Sequence, residues 1–165
     1  MKKQRLAVTF TGPSNSGKTT LIVKLSTLLQ KKGYKVAIIK HDPKDKAIFD
    51  KEGKDSYKFT NTGADVAVVS PNRTTVFKKE SSSIDNIISM MTDFDYLLVE
   101  GLKTLPLPRI CVQRESINEK YFEVTDTIAS DNTIDKTKLP EGMTTIDLND
   151  IEAVIKWINK NGKKV

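Results

Sequence analysis

Apolar positions along the chain follow two alternating rhythms. Leu6 to Thr11 is a short apolar run ending at Gly12, the pattern of a strand buried on both faces. From Lys18 onward, Leu21, Leu25, Leu28 and Leu29 recur at the spacing of one helix face, and Gly33 supplies a left-handed stop. Val36 to Lys40, VAIIK, reads as a second buried strand. Asp65–Ser70 and Thr74–Lys78 read as strands separated by the turn-like Pro71-Asn72-Arg73. Ser82 and Asp85 have the spacing of a capping box, opening a helix with the stripe Ile84, Ile87, Ile88 and Met91. DYLLVEG, RICVQR and DTIAS are three further strand-like runs. A last helix starts near Asp150, with Asn149 and Glu152 as cap partners and Ile151, Val154, Ile155 and Ile158 as its core face. Buried strands alternating with amphipathic helices predict an α/β fold of three layers, a mainly parallel sheet covered by helices on both faces. We expect residues 1–165 to form one domain, as their number suits one sizeable core better than two.

The junction of the first strand and first helix carries the chemistry. Gly12-Pro13-Ser14-Asn15-Ser16-Gly17-Lys18-Thr19 has the form G-x-x-x-x-G-K-T, a loop whose backbone amides cradle phosphates at a helix start. Gly12 to Thr19 are therefore the expected triphosphate contacts. Lys18 would reach the β- and γ-phosphates, and the Thr19 hydroxyl would ligate Mg²⁺. Such a site needs an acidic partner at the end of a neighbouring strand, where the carboxyl ends of parallel strands meet the ligand. DYLLVEG offers Asp95 and Glu100, about 16 Å apart at ~3.3 Å per residue. Only Glu100, at the strand's end, can stand near the phosphates. Lys18 and Glu100 are the candidates for any catalytic role.

The second strand delivers Lys40-His41-Asp42 to the same edge, with His41 placed to touch phosphate or substrate and Asp42 as a second metal carboxylate. His41 is the only histidine, which excludes a histidine metal cluster. Seven of the twelve residues from Asp42 to Gly53 are charged, as suits either a solvated loop or a lid over nucleotide. The N-K-x-D signature of common GTPases is absent. Asp131, after the strand ending at Ser130, could accept from guanine N1 and N2, donors that adenine cannot match.

Charge and composition narrow the partners. The net charge of +6 suits anionic ligands or acidic proteins. The lysines are scattered with no interleaved aromatics, so no nucleic-acid partner is expected. No apolar run approaches the ~20 residues of a membrane span, and we expect a cytoplasmic protein. The single cysteine, Cys111, lies in a strand-like run and reads as a buried, inert thiol.

Taken together, GPSNSGKTTL, IIKHD, GKDSYKFTNTGA, LLVEGLKTLPLPRI and IASD resemble the molybdopterin-guanine dinucleotide biosynthesis protein B family over roughly Leu6 to Ile158. EGKDSYKFTNTGAD and VEGLKTLPLPRI discriminate, since the phosphate loop alone is widely shared. The resemblance implies a P-loop NTPase fold, GTP as ligand and at most slow GTPase activity. It also implies a homodimer that assists the guanylyltransferase joining GMP to molybdopterin, with molybdopterin itself a further candidate ligand. Carried over by position, it extends the triphosphate contacts to Gly12 to Thr20; within its G-K-D-S element, Lys54 would neutralise phosphate, and Asp55 would either cap the following helix or contact the ligand. Where many relatives carry further histidines after the K-H pair, this chain has Asp42-Pro43-Lys44. The competing reading is a small-molecule kinase using ATP or GTP. It would need arginines on a lid, yet the charged loop has none, and Arg109 is the cation left to that reading.

Overall fold

The computed structural model describes residues 5–91 and 93–165. Packing divides the chain into two compact units, residues 1–41 with 93–165, and residues 42–92 between them in sequence.

The larger unit is built on β1 (Leu6–Thr11), whose six residues are all buried. The phosphate loop leads from it into α1 (Lys18–Lys31), and β2 (Val36–Lys40) follows. After residues 42–92 come β5 (Tyr96–Glu100), β6 (Arg109–Gln113), β7 (Thr127–Ser130) and β8 (Thr144–Asp147), then α4 (Ile151–Asn161) and a short β9 (Lys163–Lys164). The sheet order is β2-β5-β1-β6-β7-β8, every pairing parallel, with β9 adding antiparallel to the start of β1. The mainly parallel sheet is thus as expected. The register sets Phe10 beside Glu100 and Thr11 beside Cys111, so the phosphate loop leaves the sheet between the ends of β5 and β6.

Helices α1 and α4 pack together over Val8, Phe10, Leu98, Ile110 and Val112, contributing Leu21, Leu25, Leu29, Val154 and Ile158 to one continuous core. The opposite-facing residues Ala7, Leu97, Val99 and Cys111 are fully buried as well. On that side of β6, Gln113 exchanges hydrogen bonds with the backbone of Asn118, just before a 3₁₀ turn at Glu119–Val124. Burial pushes the Cys111 thiol above its ordinary pKa, consistent with an inert role.

Several local expectations are corrected. β2 is an edge strand with only Ile39 buried, since the strand order puts β5 on one side of it and no described strand of this sheet on the other. The cap of α4 is Asp150, whose side chain accepts from the Ala153 amide at 2.9 Å. Asn149 instead donates its amide to Asp147, and Glu152 accepts from Lys32 at 2.6 Å.

The smaller unit holds α2 (Asp55–Thr60), the antiparallel hairpin β3 (Val66–Ser70) and β4 (Arg73–Phe77), and α3 (Ile84–Met90). Ser70 pairs with Arg73, leaving a two-residue turn at Pro71-Asn72, and the hairpin is a separate sheet. Ser83, not Ser82, caps α3 by accepting from the Asn86 amide at 3.2 Å. Its expected apolar stripe is half-buried at Ile84, Ile87 and Ile88, while Met91 lies past the helix end and is exposed. Asp55 sits in the first turn of α2; the cap position is Lys54, with no side-chain cap bond.

Candidate functional site

Backbone geometry explains why glycines punctuate the loop between β1 and α1. Gly12 has φ +135°, and a Cβ there would meet the Val112 carbonyl oxygen at 2.3 Å. Gly17, at φ +96°, is the N-cap of α1, and Asn15 also adopts a positive φ of 63°. These left-handed turns curl the chain so that successive amides point inward. Pro13, Ser14 and Asn15 form the outer rim, whereas Ser16 is buried with a hydroxyl that has no hydrogen-bond partner among the described residues. A buried unsatisfied hydroxyl inside an amide-lined loop fits a phosphate-binding cradle.

Lys18 opens α1 and folds back over the loop, donating to the carbonyls of Gly12 at 3.1 Å and Pro13 at 2.6 Å. Burial lowers its pKa from the ordinary lysine value, opposed by the charge of Glu100. Thr19 donates its hydroxyl to Glu100 Oε2 at 3.0 Å, joining the start of α1 to the end of β5. The other oxygen, Oε1, accepts from Lys40 at 2.8 Å. Thr19 and Glu100 thus stand together as hard oxygen donors of the kind Mg²⁺ takes alongside phosphates and waters. No group of three His, Cys, Asp or Glu suited to a metal occurs among the described residues. Thr20 follows, exposed on α1.

Asp95 lies before β5 at the opposite end of the strand, as the spacing required. It is buried and accepts from the Lys35 amide at 2.8 Å. His41 donates its backbone amide to the Glu100 carbonyl at 2.9 Å. A Cβ on Gly101 would come within 3.1 Å of the His41 Cβ, so the glycine permits this close approach. Asp42 accepts from the amides of Lys44, Lys46 and Ala47, organising its own loop in the smaller unit. Lys54, exposed, belongs to that unit too.

Asp131 follows β7 with both oxygens engaged. Oδ2 accepts from Arg114 Nε at 2.8 Å, and Oδ1 accepts from the Thr133 amide and hydroxyl. The Thr133 bonds, with Arg114 assisting, hold its carboxyl below the ordinary aspartate range. Arg109, left as a cation for phosphate, is buried and donates to the carbonyls of Val124, Leu102 and Leu105. It braces the segment after β5 and is not available to a transferring phosphate.

Sequence reasoning assigned no role to Lys40 or Arg114. Each stands at or just past a strand's carboxyl end, and that placement was the available signal.

The family model for molybdopterin guanine dinucleotide synthesis protein B matches residues 7–131. The chain belongs to this family. A Haemophilus influenzae molybdopterin-guanine dinucleotide biosynthesis adapter protein is 29% identical over 96% of this chain and 90% of its own length. The Escherichia coli K12 protein of the same description is 30% identical, with 92% of each chain covered. A match to a Methanocaldococcus jannaschii protein is 36% identical over 63% of this chain, spanning 45% of that protein's length. The crystal structure of Bacillus subtilis MobB superposes with a TM-score of 0.75 at 22% identity, covering 96% of this chain and 98% of that one. The fold is that of the MobB P-loop proteins, a nucleotide-binding architecture. Among the described residues, no helix is long and apolar enough to cross a membrane.

Proposed function

We propose that this chain is a GTP-binding adapter of molybdenum-cofactor biosynthesis, assisting the guanylyltransferase that attaches GMP to molybdopterin. The observation that carries the reading is the Thr19–Glu100 contact across the mouth of a correctly formed phosphate loop, in a chain of this family. The Haemophilus influenzae and Escherichia coli relatives, described as molybdopterin-guanine dinucleotide biosynthesis adapters, support the cofactor assignment.

In this reading the amides of Gly12 to Thr20 bind the triphosphate. Lys18 exchanges its two carbonyl partners for phosphate oxygens, and those stronger, charge-assisted bonds favour its charged form. Mg²⁺, when bound, neutralises phosphate charge. Thr19 and Glu100 would hold it, and Lys40, which donates to Glu100 Oε1 at 2.8 Å, would give up that oxygen. Hydrolysis is slow at most in this reading, as the family resemblance implies. Arg109, committed to backbone carbonyls, leaves the kinase reading without its cation. We further propose one nucleotide-binding domain carrying residues 42–92 as an insertion, a homodimer, and a cytoplasmic setting. Molybdopterin is a candidate second ligand.

Calorimetric titration with GTP and ATP, each with and without Mg²⁺, tests the reading. GTP should bind preferentially and depend on Mg²⁺. Lys18→Ala should lose binding by 100-fold or so, about 2.7 kcal/mol, and Glu100→Gln should blunt the Mg²⁺ dependence. Preference for ATP, or Mg²⁺-dependent binding undiminished in Lys18→Ala, would overturn it.

A further inference from the structure

Beside the phosphate loop lies a cavity of about 250 Å³, lined by Gly17, Thr20, Leu21, Lys24, Arg114, Leu148 and Asn149. It opens between the start of α1 and the loops after β6 and β8. Its walls are unequal: Leu21 and Leu148 are apolar, and Arg114 supplies a planar cation.

The loops after β6 and β7 are stitched together at this wall. Arg114 Nε donates to Asp131, Asp131 accepts from Thr133, and the Thr133 hydroxyl accepts from the Glu115 amide at 2.8 Å. Glu115 adopts a positive φ of 64° within this tie. The guanidinium is thereby fixed along one edge. Its Nη1 lies 3.8 Å from where a Gly17 Cβ would stand, at the mouth of the phosphate loop. Among the described residues, the two terminal amines make no hydrogen bond to protein, and the side chain is 43% exposed. A donor fork is therefore held open toward a cavity contiguous with the triphosphate cradle.

Guanine presents two acceptors, N7 and O6, on one edge, whereas adenine presents the N7 acceptor beside an N6 donor. A cationic fork complements the first and opposes the second. We propose that Arg114 is the base-discriminating residue, donating through its terminal amines to N7 and O6 of guanine, with Asp131 as the positioning residue that holds it. The inference rests on the GTP reading above and replaces Asp131 as the direct reader of N1 and N2. The Asp131 oxygens already have partners, and the purine need displace none of them.

Inosine and 7-deazaguanosine triphosphates separate the two modes, because the first lacks only the 2-amino group and the second only N7. ITP should bind within about threefold of GTP, whereas 7-deaza-GTP and ATP should each bind about tenfold or more weakly, within the range of one lost base contact. Arg114→Lys, which keeps charge but no fork, should bring GTP and ATP within about threefold, and Arg114→Ala should do the same. Asp131→Asn should erase the difference between GTP and 7-deaza-GTP, which a merely structural aspartate would not do. The proposal is overturned if ITP binds tenfold more weakly than GTP while 7-deaza-GTP binds equally. It is overturned too if both Arg114 variants keep the GTP preference. Tripolyphosphate binding that is undetectable, or insensitive to Lys18→Ala, would instead sink the GTP reading itself.

Discussion

At the scale of single residues, the site is organised by charges that hold one another in place. Glu100 is shared between a hydroxyl and an ammonium, and Lys18 is parked on carbonyls. Each contact is one that phosphate or a divalent cation can replace without leaving a buried charge unpaired. Asp131 gives the clearest pH signature. Its carboxyl is held below the usual value by Thr133, with Arg114 contributing. A group depressed in the folded state adds stability above its unfolded pKa and loses that contribution as pH falls through the folded value. The stability advantage of wild type over Asp131→Asn should therefore be constant near neutrality. It should shrink once pH drops below about 4, the ordinary aspartate range. Urea midpoints measured at several pH values check this, and an advantage unchanged down to pH 2 would contradict it.

At the scale of elements, the strand-loop-helix junction and the end of β5 were readable because their chemistry is local. The glycine spacing of the loop dictates its own backbone, and a carboxylate at the end of a run of apolar residues falls at the strand's carboxyl end whatever surrounds it. Gly12 shows how tight the junction is. A methyl there collides with the Val112 carbonyl, and the φ of +135° is one that L side chains rarely adopt. Gly12→Ala should cost about 1–3 kcal/mol in backbone strain and collide with the Val112 carbonyl, and it should weaken triphosphate binding more than Gly33→Ala does, because Gly33, though also left-handed at φ +84°, meets no neighbour and lies at the far end of α1. Thermal melts and nucleotide titration of both variants decide. The caps were less readable. Ser82 and Ser83 are both competent to cap, as are Asn149 and Asp150, and the choice falls to the residue whose oxygen the folded chain aims at the free amide.

At the scale of the whole molecule, residues 42–92 matter most. Ile48, Phe49, Val69 and Phe59 are exposed there, the first two by more than 80%. The hairpin of β3 and β4 is a two-stranded sheet, marginal by itself. We propose that the homodimer of the reading above buries this hairpin, where Val69 and Val76 are exposed. Sedimentation should show a dimer that Val69→Glu with Val76→Glu shifts toward monomer, while Mg²⁺-tripolyphosphate affinity at the phosphate loop stays unchanged. A dimer indifferent to both changes would place the interface elsewhere. The amino-acid order by itself determined the α/β rhythm, the parallel sheet, the phosphate loop and the Thr19, Glu100 and Lys18 set, because each depends on spacing within one segment or on which end of a strand a residue occupies. Only tertiary structure decided that β2 is an edge strand, that β3 and β4 form a sheet of their own, that Arg109 is a buried brace, and that Arg114 is tied to Asp131. Those outcomes depend on which distant segments become neighbours, and sheet order and side-chain pairing are properties of the assembled chain, not of any stretch of it.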